Sequence, residues 1–286
     1  MNIIKLLRIS HWVKNGFILL PVFFAGELFH LHDFTDLLLS VLAFSFTGSS
    51  VYVINDIFDK ERDALHPVKC ERPIAAGRIK VGIGWGIAIL FCLGGLTLMY
   101  FISTNSFVLL FGYFVMNLAY SIKLKHFAIV DVIVIALGFV IRVYIGGEIG
   151  AVYISKWIIM MTFLLAVSLA VGKRRDDLIS VKSKSEIRPV LSAYNIDFVN
   201  MVLVVTFTIT LVCYIMYSVS ADVQQRLGSE FVFITSLPVF IGILRYLQLI
   251  FVYKKSGSPT KILLKDRFIQ LAIGFWMTLF ATIIYY

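Results

Sequence analysis

A chain of 286 residues that is 59% hydrophobic, with a mean hydropathy of +0.90, is too apolar for an ordinary soluble domain, whose apolar share is about one half. Its formal charge of +9 does not point to nucleic acid, because the basic residues lie in short segments between apolar runs and not on one soluble face. A polytopic, all-α membrane protein is what remains, organised as a single integral-membrane domain over residues 1–286.

The first apolar stretch, 16–31, has no small-residue cleavage site and is followed by many others, so it stays in the mature protein. Crossing the hydrocarbon takes about 20 apolar residues. Nine segments qualify: 16–31, 37–57, 82–103, 106–122, 127–147, 156–172, 198–220, 231–252 and 268–286. With the N-terminus inside, the cytoplasmic segments carry 22 of the 26 Lys and Arg residues; the opposite loops hold Lys156 and Arg226, while Arg142 and Arg245 fall within spans. That bias puts the N-terminus in the cytoplasm and Tyr286 outside, as expected for a multi-pass protein of a bacterial plasma (inner) membrane. The inside loops 58–81 and 173–197 are also the long ones, so chemistry is expected at that face.

Between the first two spans, His30 and His32 beside Asp33 read as a wetted turn and not as a metal site. The second span ends in Asn55-Asp56-Ile57-Phe58-Asp59-Lys60-Glu61-Arg62-Asp63. On a helix Asp56, Asp59 and Asp63 stand at i, i+3 and i+7, with Asn55 four residues before Asp59, so all four can project to one side. Crowded carboxylates repel unless a cation neutralises them, and hard oxygen ligands suit Mg²⁺ shared with a diphosphate. The plainer alternative is a solvated helix end paired with nearby basic residues. Ionisable residues abutting a membrane span are functional by default, which favours the site.

Next comes His66-Pro67-Val68-Lys69-Cys70-Glu71-Arg72-Pro73-Ile74-Ala75-Ala76-Gly77-Arg78, in which Lys69, Arg72 and Arg78 can clamp phosphate oxygens. Gly82 and Gly86, and later Gly146 and Gly150, form small-xxx-small pairs expected to let helices approach closely. Tyr120, Ser121 and Lys125 end the fourth span, Asp131 enters the fifth, and Arg142 lies inside it, where charge is expensive without a partner. After the sixth span, Lys173-Arg174-Arg175-Asp176-Asp177 is a second polar concentration, four helices beyond the first. It suits either a multiply phosphorylated substrate with its metal or a basic patch attracted to anionic lipid, and its spacing from the first cluster suggests a pseudo-repeat with two facing site halves. Arg245 and Tyr246 in the eighth span and Asp266 before the ninth are weaker signals of the same kind. Cys70, Cys92 and Cys213 are odd in number and far apart, indicating neither a disulfide nor a zinc site. The scattered Phe and Tyr residues serve lipid contact and packing or line a groove for an isoprenoid tail.

Asn55-Asp56-x-x-Asp59-x-x-x-Asp63 on the second of nine spans resembles the first aspartate-rich motif of the UbiA superfamily of intramembrane prenyltransferases. His11-Trp12-Val13-Lys14-Asn15, the 66–77 loop, Gly138-Phe139-Val140-x-Arg142, Lys173-Arg174-Arg175, Arg245-Tyr246-Leu247 and Leu263-Leu264-x-Asp266-Arg267 resemble, in order, its branch of decaprenyl-phosphate phosphoribosyltransferases. The resemblance implies a nine-helix UbiA-like bundle with a cytoplasmic mouth. Its reaction would be Mg²⁺-dependent transfer of 5-phosphoribose from phosphoribosyl diphosphate to a polyprenyl phosphate, releasing diphosphate. It also implies Asp56, Asp59 and Asp63 as catalytic residues and Asn55 with those three acids as metal ligands. Substrate would be held by Lys14, Asn55, Lys69, Arg72, Arg78, Tyr120, Lys125, Arg142, Lys173, Arg174, Arg175, Asp177, Arg245, Tyr246 and Asp266. Members that prenylate aromatic rings usually carry a second aspartate-rich motif where this chain has Lys173-Arg174-Arg175-Asp176-Asp177, so more cations and fewer acids suggest a different pair of phosphorylated substrates. An aromatic or quinone prenyltransferase using an isoprenyl diphosphate is the alternative enzyme, and a transporter or lipid-binding protein the alternative class. Membrane lipid is an expected partner, nucleic acid is not, and a homo-oligomer is as compatible as a monomer.

Overall fold

The computed structural model describes residues 2–27, 34–66, 69–180, 189–253, 262 and 265–285. Among them there is no strand, as expected for a chain in lipid, where a helix satisfies its backbone polar groups within one segment. Among the described residues, eight helical segments are long and apolar enough to cross a membrane, and the protein is a multi-pass membrane protein. The segment expected at 16–31 differs from the others. It begins within a 3-10 stretch, Ile9–Leu19, and continues as the short α2, Leu20–Phe24, before entering residues outside those described, which include His30, His32 and Asp33.

The chain divides into two compact units. The first comprises residues 1–23 and 27–154, and the second 24–26 and 155–286. In the first, α1 (Asn2–Leu7) and the 3-10 stretch precede α3 (Phe34–Phe58), α4 (Lys60–Ala64), α5 (Val81–Ile102), α6 (Thr104–Ile122) and α7 (Val130–Ile149). The second holds α8 (Lys156–Ser180), α9 (Ile196–Ser218), α10 (Ala221–Leu227), α11 (Ser236–Phe251) and α12 (Arg267–Tyr285). Local chemistry sets several ends: Ser103 Oγ accepts from Ser106 N at 3.2 Å, Asn195 Oδ1 accepts from Phe198 N at 2.7 Å, and Asp266 Oδ1 accepts from Ile269 N at 3.0 Å. Helix α8 runs on to Ser180, so Lys173 to Asp177 are helical and not part of a loop.

Two apolar clusters make the core of the first unit. Ile18, Val22, Phe44, Met99, Leu110 and Ile145 form one. Leu6, Leu7, Val53, Ile54, Ile74 and Ile79 form the other, which anchors α1 and the 72–79 turn beside the last turns of α3. Lipid is as apolar as these side chains, so close packing and polar contacts, rather than burial from water, hold such helices together. The small residues show where. A Cβ at Gly146 would strike the Ile18 carbonyl, and one at Gly150 would strike Val22, so this pair seats the first segment on α7 as expected. Gly82 and Gly86 behave differently from expectation, because a Cβ at either meets nothing within 4 Å. The close approach of α5 to α3 lies instead at Gly95, where a Cβ would stand 2.6 Å from the Ala43 carbonyl oxygen and 2.9 Å from Thr47 N.

A polar ladder completes the contact between the 3-10 stretch and α3. Trp12 Nε1 donates to Ser49 Oγ at 3.0 Å, Asn15 Nδ2 to Ser45 Oγ at 2.8 Å, and His11 Nδ1 lies 3.3 Å from the Tyr52 hydroxyl. Gly146→Ala is expected to cost about 1–3 kcal/mol, the scale of overpacking. Gly82→Ala is expected to be neutral. Thermal unfolding of the two purified variants side by side checks the contrast.

Candidate active site

The acids at the end of α3 do not share one face. Helix α3 stops at Phe58, Asp59 is a turn residue at φ −90°, and Asp63 lies in α4, although backbone bonds from Asp59 N to Asn55 O (3.0 Å) and Asp63 N to Asp59 O (2.7 Å) keep a helix-like course. The four side chains sort into two pairs. Asn55 Nδ2 donates to Asp59 Oδ2 at 3.1 Å, and Lys125 Nζ reaches Asp59 Oδ1 at 2.7 Å and Asn55 Oδ1 at 3.3 Å. Asp56 and Asp63, exposed by 2% and 3%, are bridged by Arg72, whose Nη1 lies 3.0 Å from Asp56 Oδ1 and 2.5 Å from Asp63 Oδ2.

Arg72 can do this because the turn behind it is tight. Ala76 N donates to Arg72 O at 2.8 Å, Ile79 N to Pro73 O at 3.0 Å, and the fully buried Ile74 plugs the turn into the core. Arg8, one of the basic residues expected on the cytoplasmic side, also belongs here. Arg8 Nη2 lies 2.5 Å from Asp56 Oδ1, and its guanidinium carbon stands 4.7 Å from the centre of the Tyr52 ring. Arg8 joins α1 to the 3-10 stretch at φ 50°, ψ 48°, a left-handed conformation costing a non-glycine residue roughly 1–2 kcal/mol. Its place three residues before His11 and four before Trp12 is the one sequence signal for it, and that signal appears once the ladder to α3 is known.

Both Arg8 and Arg72 take Oδ1 of Asp56, and Arg72 takes Oδ2 of Asp63. Among the described contacts, Asp56 Oδ2 and Asp63 Oδ1 are therefore the carboxylate oxygens that remain, whereas both oxygens of Asp59 are engaged. No three His, Cys, Asp or Glu residues gather as a ready-made metal cage among the described residues. Mg²⁺ does not need one, since it is usually held by one or two carboxylates together with water and substrate phosphates. The donor set therefore fits that ion.

Lys14 and Arg142 extend the positive charge. Arg142 is 7% exposed, with Nε on Asn15 Oδ1 at 2.8 Å, Nη1 on the Gly138 carbonyl at 2.6 Å, and Phe44 4.3 Å from its guanidinium. Asn15 thus ties α3, α7 and the 3-10 stretch together, a role its place in the His11–Asn15 motif does not reveal. Half-buried Lys14 lies before the first expected span and outside the eight described. Burial, with Arg142 and Arg8 nearby, pushes its ammonium down to about 8. Arg8, Arg72 and Lys125 match Asp56, Asp59 and Asp63 charge for charge, and Lys14, an electrostatic neighbour of both Arg142 and Arg8, adds a further cation beside them. The structure does not bring exposed Arg78 to the acids; its Nη2 bonds the Glu71 carbonyl at 3.1 Å. Lys69 lies on the same loop, in the 3-10 turn Lys69–Glu71, and Tyr120 is half-buried in the last turn of α6.

In the second unit, Lys173 is exposed while Arg174 and Arg175 are 2% and 6% exposed. Arg174 Nη1 pairs with Asp177 Oδ2 at 3.2 Å. Arg175 Nε bonds Asn200 Oδ1 at 2.7 Å, and its buried Nη1 has no hydrogen-bond partner among the described residues. Tyr246 packs its hydroxyl against Gly172, where a Cβ would lie 2.9 Å away, and its ring against Phe207. Arg245 is paired with Asp266 by two bonds of 3.3 and 2.8 Å, bracing α11 to the start of α12, and the bond from Arg245 holds the Asp266 carboxyl below the usual carboxylate range.

Lys14 makes the charge excess measurable. Its folded value lies below the unfolded one, so the unfolded chain binds more protons between about 8 and 10.5, and across that window Lys14 makes stability rise with pH. An anion beside it reverses the shift. Binding of inorganic phosphate near pH 9 is therefore expected to take up roughly one proton, and Lys14→Met is expected to abolish that uptake. Calorimetry in buffers of different ionisation enthalpy reads both.

Comparison with known proteins agrees with this architecture. The UbiA prenyltransferase family matches residues 18–272. A decaprenyl-phosphate phosphoribosyltransferase of Mycolicibacterium smegmatis is 30% identical, over 100% of this chain and 93% of its own. One of Mycobacterium tuberculosis is 29% identical, over 96% and 92%. A UbiA homolog from Archaeoglobus fulgidus, solved with DMAPP and Mg²⁺, shares the fold with a TM-score of 0.74 at 20% identity, over 99% of each chain. With the family match running through both units, the chain belongs to the UbiA prenyltransferase family and is a UbiA-type transferase.

Proposed function

We propose that the enzyme transfers 5-phosphoribose from phosphoribosyl diphosphate to a polyprenyl phosphate such as decaprenyl phosphate, releasing diphosphate, with Mg²⁺ as cofactor. The nearly full-length similarity to relatives of that name supports the substrate pair. The observation that carries the chemistry is that Arg8, Arg72 and Lys125 already match Asp56, Asp59 and Asp63 charge for charge while Lys14 stands as a further cation beside Arg8, a balance that awaits a polyanion. The match across 18–272 supports one transferase domain over the whole chain, and the bias of 22 of 26 basic residues supports a cytoplasmic acidic end in a bacterial plasma membrane.

In the reaction the bond from ribose C1 to the diphosphate oxygen breaks, and a bond from C1 to the lipid phosphate oxygen forms. Negative charge grows on the departing diphosphate and positive character on the sugar, so the main demand is preorganised positive charge around the leaving group. Asp56 and Asp63 would hold Mg²⁺ through their remaining oxygens, with Asn55 and Asp59 adding donors; bound there, it would neutralise charge on the diphosphate. Lys125 and Lys14 would hold phosphate oxygens as point charges, and Arg72 would do so while keeping the two acids in place. Lys69, Arg78 and Tyr120 would act at the rim, and Arg142 through Asn15 and the 3-10 stretch.

In the second unit Arg175, whose buried Nη1 has no hydrogen-bond partner among the described residues, would take a further phosphate together with Lys173 and Arg174. Asp177 would orient Arg174, while Tyr246 and the Arg245–Asp266 pair would shape the surroundings of α8. A phosphate monoester has a second pKa of about 6 and is mostly dianionic at neutral pH, so the acceptor needs no general base.

Labelled phosphoribosyl diphosphate, a polyprenyl phosphate and Mg²⁺ given to detergent-purified enzyme should move label into the organic phase. Asp56→Asn should lower that rate by more than about a hundredfold, the scale for losing one preorganised electrostatic contact. Transfer seen only with an isoprenyl diphosphate and an aromatic acceptor would reject the proposed substrate pair.

A further inference from the structure

Arg8 is fixed from four sides. Ser49 Oγ donates to the Leu7 carbonyl just before it at 2.9 Å, and Leu6 and Leu7 are buried among Val53, Ile54, Ile74 and Ile79. The Tyr52 ring lies against its guanidinium, and Asp56 Oδ1 receives its Nη2. Its left-handed backbone is a conformation that persists in a non-glycine residue where the surroundings over-determine it, and such residues gather at functional sites. Arg72 holds the same oxygen of Asp56, so the two guanidinium groups fix one edge of the carboxylate and leave Oδ2 on the other.

We infer that Arg8 is a positioning residue that aims Asp56 Oδ2 at a divalent cation, with α1 as the anchor that keeps it there. The inference rests on the proposed role of Asp56 as a metal ligand. Outer partners of metal-binding carboxylates orient them, and losing one costs about 10- to 100-fold in metal affinity or activity. Charge acts in the opposite direction here, since removing a neighbouring cation by itself tightens the binding of another. The sign of the effect therefore separates positioning from counter-charge.

The test measures Mn²⁺ binding to the full-length, detergent-purified enzyme by electron paramagnetic resonance, together with thermal unfolding and steady-state kinetics. Arg8→Met is expected to weaken Mn²⁺ binding by about 10- to 100-fold, and to lower kcat by a similar factor while KM for phosphoribosyl diphosphate moves less. Arg8→Lys, which returns the charge but not the guanidinium's directed bond, is expected to restore thermal stability and only part of the Mn²⁺ affinity. Equal or tighter Mn²⁺ binding in Arg8→Met, while Asp56→Asn loses it, overturns the inference. Undiminished binding in Asp56→Asn overturns the metal-ligand reading beneath it, and the inference with it. Should Arg8→Met not fold, Arg8→Lys decides: Mn²⁺ affinity equal to the native enzyme's means that charge alone suffices and overturns positioning.

Discussion

The first unit depends on one guanidinium that bridges two buried carboxylates. Asp56 and Asp63 are buried close to one another, and the Arg72 bridge supplies the opposite charge and directed hydrogen bonds that a buried carboxylate pair requires. A buried charge that loses its partner destabilises a protein by about 3–5 kcal/mol. The bridge in turn requires the 72–79 turn, and the turn requires Ile74 in the apolar cluster that also anchors α1. Packing, turn and ion pair therefore form one construction, and the acidic site is its product.

Balanced against this is a set of cations that the unit does not neutralise. Arg142 is satisfied by Asn15, the Gly138 carbonyl and aromatic faces, which supply hydrogen bonds and quadrupoles but no negative charge. Burial, and then Arg142 and Arg8 as electrostatic neighbours, make Lys14 yield its proton more readily. A protein in lipid bears such a surplus at a cost, and a phosphorylated substrate offsets it. The second unit repeats the theme with Arg175, whose buried Nη1 has no acceptor among the described residues.

The 3-10 stretch that leads into the first membrane segment shows how specificity is built where burial of apolar area gains little. A 3-10 stretch is poor at satisfying its own backbone and awkward to pack. Here it is pinned by the ladder of Trp12, Asn15 and His11 to α3, and by the seats at Gly146 and Gly150 on α7. The stretch carries Lys14 and Asn15 in its middle and follows directly on Arg8, so it serves the site as much as the bundle.

Much of this was written in the sequence. Apolar runs of span length, the bias of basic residues and the spacing of Asn55, Asp56, Asp59 and Asp63 are properties of the chain itself. They identified a multi-pass helical transferase and its acidic motif, because lipid allows few alternatives to a helix and penalises stray charge. The tertiary structure decided how those residues are partnered. A helical repeat put four side chains on one side, but the turn at Asp59 and the approach of Arg72, Arg8 and Lys125 from distant positions split them into two pairs. The small-residue pattern was equally present at Gly82 and Gly86 as at Gly146 and Gly150, and only the neighbouring helix distinguished them. Spacing along one helix fixes which residues share a face. Which oxygen is taken and which is left depends on groups brought together from across the fold, and no local pattern encodes that.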